Sequence, residues 1–135
     1  ARLAEMAAPL IPITDEIMVL PLIGTMDTAR AQQVIETVLD GAQHHRARVV
    51  ILDITGMKHV DTNVASMLIR AAAALRLLGT QAVLTGIRAE IAQTLISLGV
   101  DLSGVVTRST LQSGIAFAAT RHGATSLAKL VKQKG

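Results

Sequence analysis

Three features of the sequence predict an α/β fold. Val49-Val50-Ile51-Leu52 is a short, β-branched apolar run, the pattern of a strand buried on both faces. Asp61-Thr62-Asn63 stands directly before a stretch with helical apolar spacing, through Val64, Met67, Leu68, Ala71, Ala72 and Leu75. The same strand-then-helix order recurs on either side, at spacings typical of right-handed parallel units. The expected architecture is a mostly parallel central sheet, opened by an N-terminal hairpin, with about four helices packed on it.

Taken in order, Ala1 to Ala8 is helix-prone and stops at Pro9, which disfavours helix in the residue before it. Leu10 to Thr14 and Ile17 to Ile23 are apolar, β-branched runs separated by the turn pair Asp15-Glu16, so they read as a hairpin. Asp27-Thr28 opens a helix to about His44, with Ala31, Val34, Ile35, Val38 and Leu39 on one face. The central strand is expected to end at Asp53, followed by a loop carrying Thr55, Gly56 and Lys58. The helix after Thr62 is expected to end near Gly79. Gln81 to Ile87 reads as a strand. Arg88 to Leu98 reads as a helix with Ile91, Leu95 and Leu98 inward, stopped by Gly99. Val105 to Thr107 reads as a last short strand, and Ser109-Thr110 as the cap of a helix through Leu111, Ile115 and Ala118.

Composition narrows the function. The chain has 135 residues, enough for one domain with a sizeable core. Phe117 is its single aromatic, so bases have nothing to stack on. The net charge of +3 owes much to Lys129, Lys132 and Lys134 in the tail, and no Arg/Lys stripe follows a helix face. Nucleic-acid binding is therefore not expected. No apolar run approaches the roughly 18 residues of a membrane span. There is no cysteine and no signal-peptide pattern, which suits a cytoplasmic protein.

The chain carries one internal echo. Asp27-Thr28 and Asp61-Thr62 both fall at a strand-to-helix turn. In each, Asp is placed to cap the helix and Thr to occupy about its first position, where the hydroxyl can face solvent. Both pairs should lie on one rim of the sheet, the carboxyl edge along which open α/β sheets bind their ligands. Asp and Thr are also ordinary cap residues. A catalytic nucleophile would need a base and an orienting group. His44 and His45 end a helix, His122 lies in the tail, and His59 is the one histidine near the rim. Phosphate-cradling loops and metal-ligand spacing are absent, so neither a catalytic centre nor a cofactor nor a metal site is expected. The role left for the hydroxyls is to accept a phosphoryl group. The modification brings about −1.5 to −2 charges, which a helix N-terminus tolerates and the neighbouring Asp opposes. Asp27, Asp53, Lys58 and Asp61 are the charged groups expected around it, with Arg88 as a further cation.

Several blocks carry a family resemblance: Ala8-Pro9-Leu10-Ile11-Pro12, Leu22-Ile23-Gly24-Thr25-Met26-Asp27-Thr28, Asp53-Ile54-Thr55-Gly56, Val60-Asp61-Thr62, Gly86-Ile87-Arg88 and Glu90-Ile91-Ala92-Gln93-Thr94. In this order they resemble the STAS domain (the anti-sigma factor antagonist fold) and, within it, the RsbR-type scaffold of the bacterial stressosome. The resemblance implies a non-enzymatic scaffold and phosphorylation switch, with Thr28 and Thr62 as acceptors for an RsbT-like serine/threonine kinase. It implies a homodimer assembled with an RsbS-like subunit into a particle that holds the kinase until stress releases it, activating the general stress response. Residues 1–9 would end a linker helix from an N-terminal sensor domain. Residues 10–122 would form the STAS domain and residues 123–135 a basic tail. Other STAS proteins suggest a second class, a small-ligand module binding a nucleotide or lipid at the sheet edge.

Overall fold

A computed structural model describes residues 9–120. The elements are β1 (Ile11–Pro12), β2 (Ile17–Gly24), α1 (Thr28–His45), β3 (Val49–Met57), α2 (Thr62–Leu77), β4 (Gln81–Thr85), α3 (Ala89–Ser97) and β5 (Val106–Arg108). A last helix, α4, starts at Leu111 and is described to residue 120. The strands form one sheet in the order β1-β2-β3-β4-β5. β1 runs antiparallel to β2, and all other neighbours are parallel. The expected fold class is the observed one. The helix expected before Pro9 and the basic tail lie outside the described residues.

Alternation along the strands explains how the sheet is covered. Met18, Leu20, Leu22, Val50, Leu52, Ala82 and Leu84 share a large core with the inward faces of α1, α2 and α3. Ile17, Val19, Val49, Ile51 and Val83 point the other way, into a smaller cluster with Ala118, Leu111, Ile115 and Phe117 of α4. Successive residues of β3 thus serve opposite faces, which is why its sequence is apolar without a break. Each fully buried Leu, Ile or Met contributes about 1.5–3 kcal/mol, more than a typical hydrogen bond between neutral groups.

Turn chemistry stops each element. Arg46 caps α1 in the left-handed region, φ 53°, with its N–H bonded to Gln43 O. Gly79, φ 81°, follows α2. Thr110 Oγ1 accepts from Ser113 N at 3.0 Å and caps α4. In the hairpin, Thr14 Oγ1 accepts from Glu16 N and Ile17 N, both at 3.1 Å. β1 is thereby reduced to two residues, shorter than the run from Leu10 to Thr14 suggested.

Two expectations need correcting. β3 does not stop at Asp53; it continues through Thr55 and Gly56 to Met57. Pairing with β2 slips between Pro21 and Ile23, so that Pro21 faces Asp53 but Ile23 faces Gly56. One extra β3 residue is accommodated where Pro21 has no N–H to give. The two strands then pair again, and the supposed loop is strand. Leu98 is not inward but 41% exposed, because α3 ends at Ser97 and Leu98 falls in the turn.

Candidate phosphorylation rim

β2 and β3 are parallel neighbours, so their carboxyl ends deliver two strand-to-helix turns to one rim. The Lys58 N–H donates to Gly24 O at 3.3 Å, laying the second turn against the first. At the first, Asp27 is extended (φ −95°, ψ 179°), and its Oδ1 accepts from Arg30 N at 2.8 Å. At the second, Asp61 is extended (φ −102°, ψ −173°), and its Oδ1 accepts from Val64 N at 2.9 Å. Both aspartates are N-caps, and Thr28 and Thr62 hold the first helical positions. Asp27, Thr28, Lys58, Asp61 and Thr62 are all exposed. Neither helix has an acidic side chain in its first turn, so within that turn an added anion meets the helix dipole and the capping Asp alone.

Asp53 does not belong on the exposed rim. It is 8% exposed, and its Oδ1 accepts from Thr85 Oγ1 at 2.7 Å and from Thr55 Oγ1 at 2.9 Å. Gly86, φ 79°, crosses directly above: a Cβ there would lie 2.0 Å from Thr55 Oγ1 and 2.9 Å from Asp53 Oδ1. Arg88 is committed as well. Its guanidinium donates to Met57 O, and its Nε faces Glu90 at 3.6 Å. Thr85 is fully buried, and the Thr94 hydroxyl donates to Glu90 O.

Sequence reasoning passed over Arg30. Its guanidinium reaches back across the first turn and donates to Ile23 O at 2.9 Å and Thr25 O at 2.8 Å. Beside it, Thr25, Met26, Asp27, Ala29, Arg30 and Gln33 line an open cleft of about 580 Å³ without an aromatic side chain. Arg30 is its one cation, already held by two carbonyls. Among the described residues, no cluster of His, Asp and Glu is arranged to hold a metal ion, Asp53, His59 and Asp61 included. No described helix is long and apolar enough to cross a membrane.

Comparison with known proteins identifies this architecture. The STAS domain model matches residues 8–114. RsbT co-antagonist protein RsbRA of Bacillus subtilis is 53% identical over 113 residues, which is 84% of this chain and 41% of that protein. A solved structure of Moorella thermoacetica RsbS, in a variant with glutamate in place of one serine, superposes with a TM-score of 0.71 at 30% identity, covering 90% of this chain and 97% of that one. A chain from a solved structure of the stressosome, a signal integration and transduction hub, gives a TM-score of 0.66 at 30% identity over 80% of this chain and 93% of that one. The chain belongs to the STAS domain family. Within it the chain is closely related to the RsbR-type co-antagonist proteins, and it spans about two fifths of the length of those curated relatives.

Proposed function

We propose that this chain is the scaffold and phosphorylation-switch domain of a bacterial stressosome. In this reading it pairs with a second copy, assembles in the cytoplasm with an RsbS-like subunit and retains an RsbT-like serine/threonine kinase. Phosphorylation of Thr28 and Thr62 releases the kinase and so promotes the general stress response. The observation that carries the reading is the pair of exposed threonines, each at the first position of an Asp-capped helix, on one rim of the sheet. The similarity to RsbRA, an RsbT co-antagonist protein, supports the choice of partner.

The chemistry of the switch is phosphoryl transfer. A bond forms between the threonine Oγ1 and the γ-phosphorus of ATP, the bridging bond to the β-phosphate breaks, ADP leaves and the hydroxyl proton passes to a base of the kinase. Each phosphate adds about −1.5 to −2 charges beside Asp27 or Asp61. A kinase face docked there must then meet repulsion or desolvate a dianion, and either weakens binding. The test is kinase binding to assembled complexes carrying Thr28→Ala, Thr62→Ala, Thr28→Glu or Thr62→Glu, at about 0.1 M and about 1 M salt. The Glu variants should bind more weakly, most clearly at low salt. Parent-like binding by all four would return both threonines to ordinary helix-start residues.

A further inference from the structure

The two threonines have similar caps but different foundations. The turn before Thr28 is held by Arg30, a residue of the helix that Thr28 itself begins. The turn before Thr62 is held from outside, by the end of β4 and the start of α3. Three contacts do this in sequence along β3. Thr85 Oγ1 and Thr55 Oγ1 both donate to Asp53 Oδ1. The Gly86 backbone lies against Thr55, with no room for a side chain. Arg88 then donates to Met57 O, the last residue of the strand. From Met57, four residues anchored by buried Val60 lead to Thr62. Thr85 is fixed on its far side too, since its methyl packs where a Cβ on Gly114 of α4 would come within 2.4 Å.

We infer that Thr85 and Asp53 are positioning residues for phosphoryl transfer to Thr62, and not for transfer to Thr28. This inference rests on the phospho-acceptor reading above. The strand end that leads to Thr62 is immobilised by a buried carboxylate shared between two hydroxyls. Removing the Thr85 hydroxyl unties Asp53, and Thr55 bonded to it, from β4, so that the strand end beyond loosens and Thr62 reaches the kinase in a spread of positions. Misplacement of a reacting group by about 1 Å can cost up to about a hundredfold in rate. The Thr28 turn meets this strand end through Gly24 but is itself tied by Arg30, so its rate should stay put.

Two substitutions separate the hydrogen bond from the packing. Thr85→Val keeps the methyl against Gly114 and deletes the hydroxyl; Thr85→Ser keeps the hydroxyl and deletes the methyl. Each chain is incubated with RsbT of Bacillus subtilis and ATP, and phosphate on Thr28 and Thr62 of the same molecules is followed by mass spectrometry. Thr85→Val should lower the ratio of Thr62 to Thr28 initial rates about tenfold at an unchanged Thr28 rate. Thr85→Ser should keep the parent ratio. The inference is overturned if the ratio survives in Thr85→Val, if both rates fall together, or if Thr85→Ser behaves as Thr85→Val does. A parent chain that takes phosphate on neither threonine overturns the acceptor reading itself, a result distinct from the other three.

Discussion

At the Thr28 corner the strand ends in Gly24, φ 81°, with nothing within 4 Å of where its Cβ would be, and the turn is tied by an arginine at the surface. At the Thr62 corner the strand passes a bulge, pairs again, and is tied by a buried carboxylate under a glycine with no free space. The caps match to within 0.1 Å, 2.8 Å against 2.9 Å. Equal local signals therefore sit on unequal supports. The lesson is that a helix start can be specified by a few adjacent residues, whereas the rigidity of what precedes it is set by whichever elements pack there.

That contrast can be broken or sharpened by substitution. The largest effect is expected at the glycines. Gly86→Ala forces a left-handed alanine against Thr55 and should cost about 3 kcal/mol or more, whereas Gly24→Ala meets open space and should cost about 1 kcal/mol. Denaturant unfolding of the two variants measures the gap, and equal losses would mean that the corners are equally constrained. Next comes the carboxylate. Asp53→Ala leaves two hydroxyls without their acceptor, one of them fully buried, and should cost about 2–3 kcal/mol. Its counterpart, Arg30→Ala, should cost about 1 kcal/mol or less. The two carbonyls it abandons lie near water, and the substitution also removes an Nε that is buried without a partner. A loss for Arg30→Ala as large as that for Asp53→Ala would erase the distinction.

The caps themselves should behave alike. Asp27→Ala and Asp61→Ala each remove one side-chain acceptor from a helix N-terminus and should each cost about 1 kcal/mol. A difference of more than about 1 kcal/mol between them would show that the supports reach into the caps. Smallest of all are Thr28→Glu and Thr62→Glu, where helix dipole and capping Asp oppose one another; melting should report changes within about 1 kcal/mol. A large drop in Tm for either would place that hydroxyl inward.

The sequence carried the strand and helix order and both Asp-Thr caps, because these depend on residues adjacent in the chain or spaced by one helical turn. It did not carry the role of Asp53. A carboxylate ending an apolar run reads as a rim charge, and its decisive partner, Thr85, is 32 residues away on β4. Thr85 in turn reads as one more β-branched residue of a strand. Arg30 was missed for the opposite reason: it looks like a solvated helix residue, and only the path of the preceding turn brings Ile23 O and Thr25 O within its reach. Continuation of β3 past Asp53 depended on β2 recovering its pairing after Pro21, which no pattern within β3 announces. Leu98 shows the limit of helical periodicity, which assigns a face but not the residue at which the helix stops.

The sheet's margins have a consequence for how copies of this domain can associate. Among the described residues the outer strands are β1, two residues ending in Pro12, and β5, three residues long. Pro12 has no amide hydrogen to offer a neighbouring chain, and strands this short present little backbone for another strand to zip onto. In the proposed assembly, the described strand edges leave contacts between copies to the side chains of helices and turns. Such contacts can be altered one residue at a time, and subunits joined by them can exchange without unravelling a shared ladder of backbone bonds.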